Sequence, residues 1–328
     1  MHHPGSVPPR PPPRVAQNRR DAVHLAELAR PAGLPPALPD PGPVRLRPAV
    51  AADAEACGRV LHAAQADLAA RHGLVPDVAS AAEAAMHAAA LLSDPAMFGV
   101  VAERRGQVVG ASFLQERDEV RGIGPTAVAP GLQGAGIGRR LLRAVLDRAE
   151  GVGSTRLVQD AASLAATALH ADLGFEVKAP LMLLAGHALA ATDPEIRVRA
   201  MQEEDVEACD RLHAAAHGAS RGQEIRHALR VHSPVVAERH GRIVGYLAAP
   251  AAWRSNHGVA ETAAEMAALL AGASGLRGGP VALLLPARQS DLLRWCLKAG
   301  MRAVKPMLLL ARGGYRVPAR CWVPSAQY

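Results

Sequence analysis

Residues 128–139 read Val-Ala-Pro-Gly-Leu-Gln-Gly-Ala-Gly-Ile-Gly-Arg, and this stretch is the most informative part of the chain. An apolar strand is predicted just before it, at 123–128, and leucines at helical spacing after it predict an amphipathic helix. The alternate glycines between them let successive backbone N–H groups converge without a Cβ in the way. The helix adds its own unpaired N–H groups and the positive end of its dipole. Together these features predict an anion site shaped for a pyrophosphate.

Spacing separates the classes of protein that use such a loop. A nucleoside-triphosphate loop ends in Gly-Lys-Ser/Thr, whereas Gly138 is followed by two arginines. A dinucleotide fingerprint requires G-x-G-x-x-G, whereas Gly134, Gly136 and Gly138 are spaced two apart. Asp160 does lie about twenty residues on, where a ribose-binding acid would stand. A dinucleotide site therefore stays open as an alternative, as does a glycine-rich turn without a ligand.

A third pattern, Q-x-x-G-x-G, is matched by Gln133, Gly136 and Gly138 and is preceded by Val-x-Pro at 128–130. On these residues the chain resembles the GNAT superfamily of N-acetyltransferases, whose pyrophosphate loop binds acetyl-coenzyme A. The resemblance implies that the main chain of the strand and the following loop bind the cofactor. The residues that it assigns to acetyl-CoA binding are Thr126, Ala127, Val128, Gln133, Gly134, Ala135, Gly136, Ile137, Gly138 and Arg139.

An internal repeat divides most of the chain into two related halves. Three segments recur in the same order, which indicates duplication. The repeat also places Cys57 and Cys209 in one equivalent core position on the first helix of each copy. The matched segments are 44–57 with 196–209, 100–110 with 235–245, and 174–185 with 300–311.

Each copy alternates predicted strands and helices, with a β-hairpin turning at Arg105-Gly106 or at His240-Gly241. This order predicts an α/β fold with a mixed central sheet flanked by helices, duplicated in tandem, and it is also the order of the GNAT fold. The predicted organisation is a Pro/Arg-rich disordered tail at 1–43, a cofactor-binding GNAT-like domain at 44–190, a second GNAT-like domain at 195–312 and an extended tail at 313–328.

The second copy lacks the glycine-rich loop. At the matching point, Thr262 and Glu265 have the spacing of a capping box, which would satisfy the first N–H groups of the helix internally. A capped helix end offers fewer donors to a pyrophosphate. We therefore expect a degenerate second copy that does not bind the cofactor. Three roles stay open for it: it lines the acceptor pocket, completes the structure or binds a regulator.

Acetyl transfer to an amine needs an acid for the leaving thiolate and a base for the amine. The family often places a tyrosine in an L-Y-x-x-L-G-F segment, and His170 stands in its place here. An imidazole, with a pKa of about 6.5, is a candidate donor near neutrality. Family members commonly carry a glutamate along the strand before the loop, but residues 122–125 read Gly-Ile-Gly-Pro. Glu119 before this segment and Asp160 after the next strand are the substitute candidates for the base.

Composition and charge argue against several other classes. The net charge of +7 rests on scattered arginines that are not interleaved with aromatic residues, so the sequence does not indicate a nucleic-acid surface. No apolar run is long enough to cross a membrane, and no apolar signal core follows the N-terminus, which predicts a cytoplasmic protein. The four cysteines lack ligand spacing, so no metal site is predicted.

The sequence thus predicts an acyltransferase that moves an acetyl group from acetyl-CoA, as co-substrate and without a metal, to an amine. The acceptor is a small molecule or a protein, and neither its identity nor the oligomeric state can be read from the residues. A non-catalytic acetyl-CoA-binding or sensory module is the alternative, favoured by the missing strand glutamate and the replaced tyrosine. Modification of a nucleic acid or ribosomal protein is a third possibility, suggested by the basic charge alone.

Overall fold

A computed structural model describes residues 42–328, so the tail predicted at 1–43 lies outside the described residues except for its last two. The elements of the first half alternate as predicted for a mixed α/β fold. They are β1 (Arg45–Pro48), α1 (Ala54–His72), α2 (Ala81–Ser93), β2 (Met97–Arg104), β3 (Gln107–Gln115), β4 (Val120–Val128), α3 (Ile137–Arg148), β5 (Ser154–Asp160), α4 (Leu164–Asp172) and β6 (Glu176–Gly186).

The second half repeats this order, and a short strand, β13, follows it within the predicted tail. Among the helices of residues 42–328, none combines the length and the apolar character needed to cross a membrane. The elements are β7 (Ile196–Ala200), α5 (Val206–His217), α6 (Gly222–Val231), β8 (Val235–Arg239), β9 (Arg242–Leu247), β10 (Gly258–Ala260), α7 (Ala263–Arg277), β11 (Val281–Pro286), α8 (Ser290–Lys298), β12 (Arg302–Gly313) and β13 (Cys321–Val323).

The same ion pair begins each half. Arg47 on β1 lies 2.7 Å from the carboxylate of Asp53, and Arg199 on β7 lies 2.6 Å from that of Asp205. In both pairs the hydrogen bond from the guanidinium lowers the pKa of the aspartate. The duplication seen in the sequence therefore extends to side-chain contacts.

The two predicted hairpins are confirmed. Arg105 and Gly106 have φ values of +50° and +76°, and His240 and Gly241 have +52° and +75°. Two consecutive residues in the left-handed region form the tight turn whose twist suits a two-residue hairpin. Each turn joins a pair of antiparallel strands, β2 with β3 and β8 with β9.

The cores lie between the sheets and their helices. Cys57 on α1 and Cys209 on α5 are fully buried, at 0% exposure, in the equivalent positions that the repeat predicts. All four cysteines are buried and free. Free cysteine in such a position packs as a small apolar residue.

The strands form two sheets whose order reveals an exchange between the halves. The larger sheet has the order β1-β2-β3-β4-β5-β12-β6-β11, and the smaller has β13-β10-β9-β8-β7. Strand β12 of the second half lies between β5 and β6 of the first half and is antiparallel to both. Strand β6 in turn pairs with β11 of the second half. The last strand of each half therefore completes the sheet of the other, as in a domain swap within one chain.

The exchanged strands meet at a pseudo-two-fold axis. Leu181 of β6 pairs with Met307 of β12. These residues occupy one position of the repeat, because Pro-Leu-Met at 180–182 matches Pro-Met-Leu at 306–308. A residue faces its own counterpart where a two-fold axis passes between the copies. The axis therefore runs through the middle of the β6–β12 pair.

Residues 321–328, which we call the closing segment, return to the sheets of both halves. Strand β13 pairs antiparallel with β10 of the second half. Farther along, the N–H of Val158 on β5 donates to the carbonyl of Ala326 at 3.3 Å, and the side-chain amide of Gln327 donates to the carbonyl of Gly124 on β4. The closing segment thus contacts β4 and β5 of the first half as well as β10 of the second, and it is largely buried.

A buried polar network occupies the second half. Tyr246 places its hydroxyl 3.1 Å from Nδ1 of both His213 and His257, and the hydroxyl of Tyr328 lies 2.7 Å from Nδ1 of His217. The three histidines are 1–3% exposed. Burial is the main cause that lowers the pKa of each histidine well below its ordinary value. All three are therefore neutral near pH 7.

We expect the free energy of unfolding to fall as the pH drops from 7 to 5. The folded-state pKa of these histidines lies below the unfolded value of about 6.5, so the unfolded chain takes up protons that the folded chain does not. Their contribution to stability is complete above that value and is lost as the pH falls below it. Replacing His217 by Gln should reduce the slope of the unfolding free energy against pH by up to about 1.4 kcal/mol per pH unit.

Urea unfolding between pH 7 and pH 5 measures this slope. His240→Gln is the control, because that side chain is 76% exposed. A slope unchanged by His217→Gln would show that His217 has the same pKa in the folded and the unfolded chain, against the lowered pKa given above.

A side chain at Gly122 on β4 would collide with the closing segment, since its Cβ would lie 2.0 Å from the carbonyl oxygen of Gln327. We expect Gly122→Ala to lower the free energy of unfolding by about 1–3 kcal/mol. Gly153→Ala is the matched control, because a Cβ there meets nothing within 4 Å. Thermal unfolding of the two variants compares them, and equal midpoints would contradict the seating of Gln327 against β4.

Candidate functional site

Strands β4 and β5 separate at the candidate site. They pair in parallel over Val120–Gly122 and Ser154–Arg156. Where this pairing ends, a cavity of about 830 Å³ opens between them. Its lining includes residues 123–128 of β4 and 157–160 of β5.

The loop after β4 is fixed by one of its own side chains. Gln133 donates from Nε2 to the carbonyl of Val128 at 3.1 Å, across the 3-10 turn at Pro130–Leu132. Gly134 and Gly136 have φ values of +84° and +79°. Residues with a Cβ rarely adopt this left-handed conformation, so the backbone path favours glycine at both positions.

Helix α3 begins directly after this loop without a side-chain cap. Its N-cap is Gly136, and a Cβ added there would meet nothing within 4 Å. The matching helix α7 differs, because Glu265 accepts hydrogen bonds from the N–H (2.7 Å) and the hydroxyl (2.8 Å) of Thr262, which confirms the predicted capping box. The first N–H groups and the positive dipole end of α3 are therefore presented to an anion, while at α7 the carboxylate of Glu265 already lies at the helix start.

Eight of the ten residues predicted to bind acetyl-CoA line the cavity. Of the other two, Ile137 turns into the core at 1% exposure, and Ala135 lies in the loop outside the lining. Arg139 also forms an ion pair with Asp172 at the surface. The eight are Thr126, Ala127, Val128, Gln133, Gly134, Gly136, Gly138 and Arg139.

His170 lines the same cavity and is 7% exposed. Its Nδ1 forms a hydrogen bond with Oε1 of Gln159, and its ring packs edge-on against Phe175 with the centroids 5.7 Å apart. Burial lowers the pKa of His170 to about 4, because an imidazolium would lose its hydration there. The side chain is therefore neutral near pH 7, unlike the imidazole with an ordinary pKa that the sequence analysis assumed.

Asp160 ends β5 and also lines the cavity. Lys305 on β12 places its Nζ 2.7 Å from Oδ1 of Asp160 and also pairs with Asp77. A lysine of the second half, only 4% exposed, thus contacts two carboxylates of the first half. Burial raises the pKa of Asp160, and the ammonium of Lys305 opposes this shift.

Glu119, the other predicted base candidate, lies elsewhere. It precedes β4, is exposed and does not line the cavity. The cavity therefore brings together His170 and Asp160 but not Glu119. Within residues 42–328, no three or more His, Cys, Asp or Glu side chains are grouped so that they could bind a metal ion.

The closing segment fills the narrow end of the gap between β4 and β5. Ala326 and Gln327 line the cavity there. A side chain at Gly122 would overlap the carbonyl oxygen of Gln327, so this part of β4 has no room for a glutamate. The closing segment therefore excludes a carboxylate side chain at position 122, in the strand where the sequence also has none.

The second half supplies part of the cavity wall, one of the roles that the sequence left open, through residues that the sequence did not single out as site residues. Glu224 and His227 on α6, and Trp253 and Arg254 in the loop after β9, line the cavity. Glu224 accepts a hydrogen bond from Arg117 of the first half at 2.7 Å. These residues belong to no motif and lie far along the chain from the glycine-rich loop, so the sequence carried no signal for them.

Residues 61–175 match the model of the acetyltransferase (GNAT) family. The matched range begins within α1 and ends after α4, and it contains β4, the glycine-rich loop and β5. No curated protein matches the chain in sequence.

Solved structures share the fold over most of the chain. A putative acetyltransferase from Pyrococcus horikoshii is 14% identical, with 84% of this chain and 92% of that chain covered and a TM-score of 0.66. A GCN5-related N-acetyltransferase from Sphaerobacter thermophilus is 20% identical, with 86% and 100% covered and a TM-score of 0.57. A tandem GNAT protein from the clavulanic acid biosynthesis pathway is 15% identical, with 82% and 98% covered and a TM-score of 0.53.

At these identities the similarity to the solved structures shows a shared fold. The family model matches only the half that carries the glycine-rich loop. Both agree with the mixed sheet flanked by helices and with the predicted resemblance. Residues 61–175 therefore match the acetyltransferase (GNAT) family, and the chain as a whole shares the fold of the solved structures named above.

Proposed function

We propose that this protein is an acetyl-CoA-dependent N-acetyltransferase whose first half binds the cofactor and whose cavity receives the amine. One observation carries the proposal: the uncapped start of α3 and two titratable side chains, His170 and Asp160, share a single cavity of about 830 Å³. The family assignment supports acetyl transfer as the reaction class.

The pyrophosphate of acetyl-CoA binds at the glycine-rich loop in this proposal. The N–H groups of residues 134–138 and the dipole of α3 supply the positive potential that two phosphates require. The pantetheine arm then runs into the gap beside Thr126, Ala127 and Val128, where main-chain groups of β4 are its hydrogen-bonding partners. A backbone N–H directed at the thioester oxygen stabilises the charge that develops there during transfer.

The proton steps use Asp160 and His170, two of the titratable side chains of the cavity. The amine nitrogen forms the new bond to the acetyl carbon, and the bond from that carbon to sulfur breaks. Asp160 accepts the amine proton, for which a raised pKa suits a carboxylate. A thiolate developing beside His170 raises the pKa of that imidazole, which takes up a proton from solvent at Nε2 and passes it to the leaving sulfur, while Asp160 returns the amine proton to solvent.

The second half binds no cofactor in this proposal. Its own β13 pairs with β10 and packs against β11, so the gap that corresponds to the one between β4 and β5 holds a strand. At the start of α7 the carboxylate of Glu265 binds the N–H of Thr262 and places a negative charge where a pyrophosphate would lie. Both observations support one acetyl-CoA site per chain.

Calorimetric titration with acetyl-CoA tests this stoichiometry. We expect one site in the native protein and none in Gly136→Glu, because a carboxylate would then occupy the anion site. Gly136→Ala is the matched control: it adds the same backbone strain at a positive φ without the charge, and it should retain binding. Two sites per chain, or an unchanged affinity in Gly136→Glu, would contradict the proposal.

Steady-state kinetics with a panel of amines tests the role of Asp160. We expect Asp160→Asn to lower kcat by about 10²- to 10⁴-fold while the affinity for acetyl-CoA is kept. Glu119→Gln is the control, because that side chain is exposed and outside the cavity. Equal rates in the native protein and Asp160→Asn would remove Asp160 as the base. Acetyl-CoA binding without turnover of any amine would favour the non-catalytic module.

A further inference from the structure

The carboxylates of the cavity already have cationic partners. Glu224 lies 2.7 Å from the guanidinium of Arg117, which also pairs with Asp94. Asp160 shares Lys305 with a second carboxylate, as described above. Each of these two cations contacts two carboxylates, so these clusters carry excess negative charge within the wall.

Arg254 is the opposite case. It lines the cavity, and within residues 42–328 no carboxylate lies within ion-pair distance of its guanidinium. It donates from Nη2 to the backbone carbonyl of Asp77, and its guanidinium carbon lies 4.8 Å from the ring centroid of Trp253. Burial lowers the pKa of Arg254, yet a guanidinium remains protonated at pH 7.

The position of this guanidinium is fixed from several sides. Trp253 lies against it, the carbonyl of Asp77 accepts one of its donors, and the carbonyl of Arg254 itself accepts a hydrogen bond from the N–H of Ala326 at 2.8 Å. A guanidinium has five N–H donors in a rigid fork, so most of them are left for a ligand. Asp77 and Glu83 act on this cation only at longer range, so a partly desolvated guanidinium without a carboxylate in contact gains when an anion binds to it.

Arg254 also lies close to the reacting groups. Asp77 links Arg254 to Asp160. Its backbone carbonyl accepts a hydrogen bond from Arg254, and its carboxylate pairs with Lys305, which also pairs with Asp160. Two residues, Asp77 and Lys305, therefore connect Arg254 to the proposed base, and both Arg254 and Asp160 line the same cavity. Apolar side chains also contribute to the wall of this cavity: Leu61, Leu68, Val78, Leu91, Met97 and Val231.

We propose that Arg254 binds a carboxylate of the acceptor, so that the substrate is a small amine carrying a carboxylate, of the amino-acid class, with an apolar side chain. This inference rests on the proposed N-acetyltransferase function and assigns its acceptor. The bidentate fork of Arg254 matches a carboxylate, and Asp160 receives the proton of the amino group. The second half then contributes the residue that selects the substrate.

Matched pairs of acceptors test this assignment. L-leucine is compared with 3-methylbutylamine, L-phenylalanine with 2-phenylethylamine and L-methionine with 3-(methylthio)propylamine, each pair differing only in the carboxylate. Initial rates with acetyl-CoA should favour the amino acid by at least about tenfold in kcat/KM in one or more pairs. Amines that match or exceed their amino acids in every pair would overturn the assignment.

Arg254→Gln tests the residue itself. We expect this variant to lower kcat/KM for the preferred amino acid by about 10- to 100-fold, mainly through KM, with little change for the matched amine. A purely structural role would lower both members of a pair alike and would overturn the assignment. Arg254→Lys should recover part of the loss, because it restores the charge without the fork. Arg59→Gln, on the exposed face of α1, is the control.

Titration with acetyl-CoA distinguishes a failure of the amino-acid assignment from a failure of the proposed N-acetyltransferase function. If acetyl-CoA binds at one site and neither member of any pair is acetylated, the amino-acid assignment fails while cofactor binding stands. If acetyl-CoA does not bind, the proposed function itself fails, and the assignment fails with it. Acetylation of protein amines alone would likewise overturn the assignment.

Discussion

The antiparallel pairing of β6 with β12 is the constraint on which the rest of the structure depends. Each strand is the last of its own half and lies next to a strand of the other half, so the larger sheet is continuous across both copies. The backbone groups of these strands are satisfied by partners from the other copy. The two halves therefore cannot separate without exposing unpaired strand edges.

This exchange also sets the electrostatics of the cavity. Lys305 belongs to β12 and reaches Asp160 because β12 lies directly beside β5. Burial acts on the two titratable side chains in opposite directions, raising the pKa of Asp160 and lowering that of His170. The physical cause is the same in both, since a low-dielectric surrounding disfavours the charged form.

The closing segment makes two copies of one fold unequal. In the second half β13 occupies the position beside β10, where it supplies backbone partners to that strand. In the first half Ala326 and Gln327 reach only the narrow end of the corresponding gap, and the cavity remains open beyond them. In the second half this gap is filled by a strand. That half instead lines the cavity of the first half, to which it contributes Glu224 and Arg254.

Local patterns in the sequence determined the elements, both hairpin turns, the capping box at Thr262 and the glycine-rich loop, because each depends on residues within one turn or one period. The repeat determined that the fold is duplicated and where equivalent residues such as Cys57 and Cys209 lie. Only the tertiary structure decided that the last strands are exchanged, that Lys305 reaches Asp160 and that Arg254 enters the cavity. Such contacts join residues far apart in the chain, and their energy comes from burial and pairing that no local pattern encodes.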